Sequence, residues 1–415
     1  MSAETKYIIQ PIMSRVTASK HLNDQILTGI NKGYNEFKII IQENSKTYPN
    51  ICVPIAATID YYKEMGMDFE IIHECVYRDY IKHTSFDHPC IVEENINCTD
   101  LLYPLDKVWC FSTSEGVNSL VTAYINAIRQ SDSIESGVLA SIEWCINEIM
   151  DNVLQHSEAP KGFIMTQLQH ESKRFSVCIF DYGRGIYNSF KGSKYHPVSP
   201  IDAISLALSE RVTRDEKIGQ GNGMWGLSRI INENGGTIRI SSCGAVYSCI
   251  NGSLSTIDNG DFNFGKKVGT TRVDFQLDYS KSIDIVSALN GYKPIDLWLE
   301  NLENDAGDYA ITVLNESSGT GTRKSALKFR NMVLNIIRET HKKVILDFTG
   351  INLISSSFAD ELIGKMISEY GFMFFINTIT ITNISKINSF VINRSVEQRM
   401  AQTYYDHLID EDTEE

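Results

Sequence analysis

Residues 143–157 read EWCINEIMDNVLQHS, and this stretch decides how the central part of the chain is interpreted. Around it, apolar residues recur every three or four positions: Ile142, Cys145, Ile146, Ile149 and Val153. This spacing predicts a helix over residues 136–155. Glu148, Asn152 and His156 stand four residues apart, so they share one side of that helix. The polar stripe either faces solvent or turns a carboxylate, an amide and an imidazole toward the edge of a pocket.

After the helix come two β-like runs, residues 163–169 and 175–180, and the second run ends in FDYGRGI. In this sequence Asp181 is followed by Gly183 and Gly185. Glycines spaced by two after a strand permit a tight turn and a close backbone approach to a flat ligand. Asp181 could then accept a hydrogen bond from an exocyclic amine, although a plain turn would need no ligand.

A third motif, GQGNGMWGLSRI at residues 219–230, places Gly219, Gly221 and Gly223 at alternate positions before a predicted helix over residues 224–234. Consecutive backbone N–H groups at a helix N-terminus favour an anion such as a triphosphate. The preceding segment is polar and does not read as a strand, so the motif is not a dinucleotide-binding fingerprint. We interpret it as a mobile lid that carries Arg211, Arg214 and Lys217.

The fourth motif is GTTRVDF, residues 269–275, at the start of a predicted strand over residues 269–277. Alternation along the strand predicts that Thr271, rather than Thr270, faces the core together with Val273 and Phe275. The hydroxyl of Thr271 could then reach Asp181.

Taken in this order, the four motifs resemble those of the GHKL superfamily of ATP-binding domains, over about residues 136–277. Glu148-x3-Asn152 looks like the N box, Asp181-x-Gly183-x-Gly185 like the first glycine box, and residues 219–226 like the second. With His156 as the third member of the helix motif, the pattern is most similar to the anti-sigma-factor serine kinases. The resemblance implies an α/β sandwich of the Bergerat type.

The resemblance also implies a role for each residue. Asn152 would bind Mg²⁺ through its amide oxygen, and Asp181 would hold the adenine amine, beside Gly183, Gly185 and Thr271. Gly219, Gly221 and Gly223 would wrap the triphosphate of ATP. Glu148 would be the catalytic general base, acting on water or on a substrate hydroxyl. Helix packing is the favoured role of His156.

The C-terminal part repeats a β–α alternation from residue 309 onward. Its segment VILDFTGINLISSSFADELIGKM, residues 344–366, looks like STAS-like domains that follow GHKL modules and is distantly similar to anti-sigma-factor antagonists. In those antagonists a phosphoacceptor serine lies between a strand and a helix, and Ser356 is the nearest positional match. The alternative is that one of Ser355, Ser356 and Ser357 caps the helix that follows. A further strand is predicted at residues 372–376.

These patterns predict a multidomain protein of α+β and α/β class, with a central GHKL-type sandwich between an N-terminal α/β domain and a C-terminal STAS-like domain. The predicted boundaries are listed in chain order: residues 1–130 for an α/β domain that could itself be divergent STAS-like, 131–278 for the ATP-binding domain, 279–308 for a linker, 309–405 for the STAS-like domain and 406–415 for an acidic tail.

Charge and composition narrow the choice of partners. The chain has 415 residues, 38 Lys and Arg against 52 Asp and Glu, and a net charge of −14, which disfavours nucleic acid as the default partner. No apolar run is long enough to span a membrane, and the start lacks the pattern of a secretory signal. The nine cysteines are scattered and never spaced C-x-x-C, so we expect reduced thiols and a cytoplasmic location.

The leading functional hypothesis is a regulator that binds Mg-ATP and either hydrolyses it or transfers the γ-phosphate to a serine of a STAS-type domain. The alternative is a nucleotide-gated switch, in which ATP changes which regulatory partner is held and turnover is slow or absent. Glu148 favours catalysis, because a switch would not need a general base. A homodimer is a further implication of the resemblance.

Overall fold

The computed structural model describes residues 6–14, 16–42, 45–74, 82–96, 99–191, 193–209, 223–264, 269–291, 299, 302–304 and 306–411. It is a mixed α/β structure that divides into two compact units. Unit 1 comprises Met1–Ala127 and Ser141–Tyr292, and unit 2 comprises Ile128–Ala140 and Lys293–Glu415. This division differs from the sequence-based one, because the N-terminal segment and the central motifs share unit 1.

The strands of unit 1 are β1 (Tyr7–Ile9), β2 (Glu36–Ile41), β3 (Asp68–His73), β4 (Cys90–Ile91), β5 (Trp109–Phe111), β6 (Gly162–Gln169), β7 (Arg174–Asp181), β8 (Thr237–Ser242), β9 (Ala245–Ile250), β10 (Ser253–Ile257) and β11 (Thr271–Asp278). The helices up to residue 291 are α1 (Ala18–Asn31), α2 (Pro49–Glu64), α3 (Val92–Asn95), α4 (Ser114–Ser131), α5 (Val138–His156), α6 (Gly185–Ser189), α7 (Pro200–Ala207), α8 (Gly223–Asn234) and α9 (Ile285–Ala288), with a 3₁₀ turn at Thr99–Leu102.

Two sheets organise the described part of unit 1. A parallel sheet has the order β1-β2-β3, and an eight-stranded sheet has the order β10-β9-β8-β11-β7-β6-β5-β4. Only the β4–β5 pair of the large sheet is parallel; its other recorded pairs are antiparallel. The predicted helix over residues 136–155 is α5, and the two predicted strands that follow it are β6 and β7.

One hydrophobic core joins the N-terminal segment of unit 1 to the large sheet. Phe37 of β2 and Ile55 of α2 belong to the same buried cluster as Phe163 of β6 and Phe180 of β7. Helix α2 begins with Pro49, whose missing N–H costs nothing at that position, and most of its residues are buried. The core therefore lies on one face of the large sheet, under α2.

Unit 2 contains β12 (Tyr309–Thr312), β13 (Val344–Asp347) and β14 (Ile379–Thr382), which form a parallel sheet in that order. Its helices are α10 (Val313–Glu316), α11 (Arg323–Thr340), α12 (Ser356–Ala359), a π-helical turn (Asp360–Gly364), α13 (Lys365–Tyr370), α14 (Phe372–Thr378) and α15 (Lys386–Glu411). Thr322 caps α11 by accepting from the Ser325 N–H, and the helix ends at His341 in a left-handed conformation.

The prediction of a strand at residues 372–376 is wrong. That run is helical, in α14, and the strand follows it as β14. Gly371, at φ 91°, separates α13 from α14, so the aromatic run starts a new helix after a sharp turn. The alternating sequence ITIT fits a pleated strand better than the continuous apolar run did.

No helix in the described part of the chain is long and apolar enough to cross a membrane.

Candidate functional site

Asp181 is the last residue of β7, and strand register decides what surrounds it. Its cross-strand neighbours are Gly162 on β6 and Thr271 on β11, and Thr271 is in turn paired with Ser242 on β8. Residues directly opposite one another point to the same face of a sheet. Asp181, Thr271 and Ser242 therefore form a row of polar side chains across three strands, and the two hydroxyl oxygens of Thr271 and Ser242 lie 3.3 Å apart.

The carboxylate of Asp181 is buried, with 3% of the residue exposed. It accepts a hydrogen bond from the Gly183 N–H at 2.9 Å, and the Thr271 hydroxyl also donates to it. Burial raises the pKa of Asp181 to about 7, although both hydrogen bonds oppose that shift. No cation among the described residues forms an ion pair with it. The site thus holds a hydrogen-bond acceptor whose charge is costly in the absence of a ligand.

The turn after Asp181 packs against the end of α5. The Arg184 N–H donates to the Ser157 carbonyl at 2.7 Å, and the Arg184 Nε donates to the His156 carbonyl at 3.0 Å. A Cβ at Gly183 would collide with the Ser157 carbonyl oxygen, so only glycine allows this approach. Gly185 has φ 75° and lies against the Cys243 thiol, which also excludes a side chain.

The polar stripe of α5 is half-buried rather than fully exposed at Glu148, Asn152 and His156. Burial, together with the neighbouring charge of Asp151, raises the pKa of Glu148. A Cβ at Gly223 would collide with the Oε2 atom of Glu148, so that carboxylate lies against the backbone where α8 begins. The structure thus brings together two predicted residues, Glu148 and Gly223, that are far apart in sequence.

Five residues of the predicted lid lie outside the described residues: Arg211, Arg214, Lys217, Gly219 and Gly221. Residues 223–226 are the part of the second glycine box that the structure describes.

The prediction for the threonine pair is half right. Thr271 does reach Asp181, as expected. Thr270 is nevertheless the more buried of the two, with its hydroxyl donating to the Phe262 carbonyl at 2.9 Å, while Thr271 is half-buried. The reason is that both faces of the large sheet are covered at this point, so burial alone does not distinguish the two sides of β11.

Sequence reasoning missed two residues that shape the site. Ser157 supplies the carbonyl that the first glycine turn packs against, and Ser242 accepts a hydrogen bond from the Ile186 N–H at 2.9 Å. A signal for Ser242 existed, because it comes just before Cys243 and Gly244, which turn with φ 51° and 86° between β8 and β9. Ser157 acts through its backbone, so its side-chain type gave no signal.

Unit 2 contains the second predicted feature, the serine turn before α12. Ser355 is the N-cap, because its Oγ accepts from the Phe358 N–H at 3.0 Å. Ser357 is half-buried, with its Oγ 3.0 Å from that of Ser355. Ser356 is exposed at the first position of the helix. The capping role therefore falls to Ser355 and leaves Ser356 accessible.

Comparison with known families identifies one part of the chain. Residues 325–388 match a family described as a STAS-like domain of unknown function (DUF4325). The C-terminal STAS-like domain expected from the sequence is confirmed by this match, which includes the serine turn and does not reach the four motifs of unit 1. No curated protein matches the chain.

Proposed function

We propose that unit 1 is an ATP-binding domain of the GHKL type, with a Bergerat sandwich, and that it hydrolyses ATP or transfers the γ-phosphate to a serine of a STAS-type domain. The observation that carries the proposal is the buried carboxylate of Asp181, set beside Gly183 and Thr271 at the end of β7. A ligand N–H that donates to this carboxylate would stabilise its charged form, which burial alone disfavours. The exocyclic amine of adenine provides such a donor.

The stripe of α5 suits the phosphate end of the same ligand. Asn152 and Glu148 are one helical turn apart, half-buried, and Glu148 lies against Gly223 at the start of α8. An amide oxygen beside phosphate oxygens is a donor set that suits Mg²⁺, so Asn152 would hold the ion. When bound, Mg²⁺ would neutralise charge on the phosphates. Gly219, Gly221 and Gly223 would surround the triphosphate with backbone N–H groups.

Glu148 is the proposed general base. The Glu148 carboxylate would accept a proton from water or from a serine hydroxyl. The oxygen of that water or serine would then bond to the γ-phosphorus, and the bond between the γ-phosphorus and the bridging oxygen would break, so that ADP leaves. Burial and Asp151 raise the pKa of Glu148, which makes it a better proton acceptor than an exposed glutamate.

Ser356 is the proposed acceptor in the kinase version of this function. It is the exposed serine of the turn, whereas Ser355 is occupied as the N-cap. The family match describes this region as STAS-like, which is the class of domain that carries the acceptor serine in the proposed reaction. Whether the acceptor is in the same chain or in a partner is decided by the experiment below.

The test is to incubate the full chain with Mg²⁺ and γ-labelled ATP and to follow the label in nucleotide, free phosphate and protein. We expect label to leave the nucleotide, and we expect Glu148→Gln to slow this by about 10²–10⁴-fold while ATP still binds. Glu171→Gln is the matched control, because Glu171 is an exposed carboxylate in the turn between β6 and β7 and should change the rate by less than about tenfold.

The destination of the label separates the alternatives. Label on protein that disappears in Ser356→Ala identifies a kinase acting on its own STAS-like domain. Label in free phosphate identifies an ATPase. Bound ATP with no loss of label would contradict catalysis and favour the nucleotide-gated switch, and equal rates in the wild type and Glu148→Gln would remove Glu148 from the mechanism.

A further inference from the structure

The edge strand of the large sheet is open on both faces. β10 is hydrogen-bonded to β9 and ends the order of strands in the described part of the sheet. All five of its residues are exposed, and Leu254 and Ile257 are 61% and 52% exposed. Edge strands of this kind offer unpaired backbone groups to another chain unless charge, proline or a bulge prevents it.

Backbone geometry decides which groups of β10 point outward. β9 and β10 are joined by Asn251 and Gly252, at φ 49° and 78°, which is the two-residue turn favoured in hairpins. The flanking residues Ile250 and Ser253 then form a hydrogen-bonded pair, and Ser255 bonds inward to Ser248. By alternation, the N–H and C=O groups of Leu254 and Thr256 point away from β9 toward the open edge.

The hairpin also lacks the charges that usually protect an edge. Residues 240–257 read ISSCGAVYSCINGSLSTI and contain no Asp, Glu, Lys or Arg. This is unusual in a chain with 90 charged residues (38 Lys and Arg, 52 Asp and Glu) and a net charge of −14. Two copies of so acidic a chain repel one another over most of their surface, so a neutral strand is where they can approach at least cost.

We propose that β10 pairs with β10 of a second copy of this chain, antiparallel and about a twofold axis at Ser255. In this register Leu254 of one copy lies opposite Thr256 of the other, and Ser255 lies opposite itself. The outward N–H and C=O groups of Leu254 in one copy bond to those of Thr256 in the other. Two backbone hydrogen bonds therefore form on each side of the twofold axis. The two large sheets become one continuous sheet.

The strand fits a second copy better than an unrelated peptide for a specific reason. An isologous contact requires a surface that is complementary to itself. In β10 the two residues with outward backbone groups are placed symmetrically about Ser255, and no like charges oppose one another in the paired register. A peptide partner would satisfy the backbone equally well, but nothing in the sequence of β10 would select it.

The first experiment is to measure the mass of the full chain in solution by sedimentation over a range of protein concentrations, for the wild type and two variants. We expect the wild type to approach twice the chain mass as concentration rises. Ser255→Lys brings two like charges together at the axis and should abolish the dimer at the same concentrations. Ser255→Thr keeps the hydroxyl and the neutral charge and should leave the dimer intact.

A second variant keeps the proposal testable if Ser255→Lys perturbs the hairpin. Residues that face one another in a non-hydrogen-bonded pair have Cα atoms about 4.5 Å apart, close enough for a disulfide. Ser255→Cys should therefore form an intermolecular disulfide on mild oxidation, whereas Ser253→Cys, which lies off the axis, should not. A monomeric wild type, a dimer unaffected by Ser255→Lys, or equal cross-linking at both positions would overturn the proposal.

Discussion

Two buried acids, Asp181 in unit 1 and Glu361 in unit 2, have opposite electrostatic surroundings. In unit 1, Asp181 lies in the large sheet with hydrogen bonds from Gly183 and Thr271 and, among the described residues, no cation within ion-pair distance. In unit 2, Glu361 is just as buried, with 1% exposed, but it contacts three cations. The two carboxylates are similarly buried, but only Glu361 is within ion-pair distance of cations among the described residues.

The acids of unit 2 form a network around the π-helical turn. Glu361 lies 3.2 Å from Arg323, 3.3 Å from Arg330 and 2.8 Å from Lys365. Its neighbour Asp360 accepts from Arg399 at 2.6 Å, and this bond, assisted by the charge of Arg323, holds the pKa of Asp360 below its ordinary value. Residues of α11, α13 and α15 are thereby tied to one turn.

The contrast separates a structural use of charge from a functional one. A buried acid with several cations has its charge compensated within the fold, and removing it leaves the cations uncompensated. A buried acid without a cation has a raised pKa, and carboxylates perturbed in this way are concentrated at functional sites. We therefore assign Glu361 to stability and propose Asp181 for binding.

The largest expected effect is on the stability of unit 2. Glu361→Gln keeps the shape of the side chain but leaves Arg323, Arg330 and Lys365 facing a neutral group, and it should destabilise unit 2 by about 3–5 kcal/mol. Glu369→Gln is the matched control, because Glu369 pairs with Arg330 at 2.8 Å but is largely exposed, and its loss should cost about 1 kcal/mol or less. Amide hydrogen exchange in α11 measures the loss of stability in both variants. Equal losses would show that the buried acid Glu361 is no more important to unit 2 than the exposed acid Glu369.

Neutralising Asp181, in contrast to neutralising Glu361, should stabilise the ligand-free fold. The pKa of Asp181 is about 7, against an ordinary value of 3.8, so the folded state holds a proton more tightly than the unfolded state. Stability therefore falls as pH rises from about 4 to about 7 and is then constant. Three pKa units correspond to at most about 4 kcal/mol, so Asp181→Asn should stabilise the ligand-free fold by about 1–4 kcal/mol at high pH.

The check is to compare the unfolding midpoints of the wild type and Asp181→Asn at about pH 8 and about pH 4.5. The advantage of the variant should be large at the higher pH and small at the lower one. A variant that is less stable than the wild type at high pH would mean that the charge of Asp181 is compensated in the fold.

Asp181→Asn should also weaken ATP binding, by about 1.5–3 kcal/mol or roughly 10- to 150-fold, because a charge-assisted hydrogen bond is lost. Glu171→Gln in the exposed turn between β6 and β7 is a control for the change in net charge. Isothermal titration of both variants gives the comparison. Unchanged affinity in Asp181→Asn would rule out the adenine assignment.

The smallest effect concerns the serine turn of unit 2, where one serine is structural and its neighbour is exposed. Ser355→Ala removes the N-cap of α12 and should cost about 1 kcal/mol. Ser356→Ala should change stability by no more than about 0.5 kcal/mol. Denaturant titrations of the two variants would contradict this assignment if Ser356→Ala were the more damaging.

Local patterns predicted much of the fold, and pairing between distant strands accounts for most of what they missed. The spacing of Ile142 to Val153 correctly predicted α5, since a helix is encoded by neighbours three and four residues apart. The row of Asp181, Thr271 and Ser242 depends on the register of three strands, which one sequence does not specify. The β9–β10 hairpin was also missed, although Asn251 and Gly252 are a strong turn signal.

Binding of ATP to the full chain, measured by isothermal titration calorimetry with Mg²⁺ present, tests the proposal for unit 1 most directly. Saturable binding of one ATP per chain below about 1 mM, weakened by Asp181→Asn, is the predicted result. Absence of heat and of binding up to that concentration, or equal binding by the wild type and the variant, would contradict the assignment of Asp181 as a nucleotide ligand.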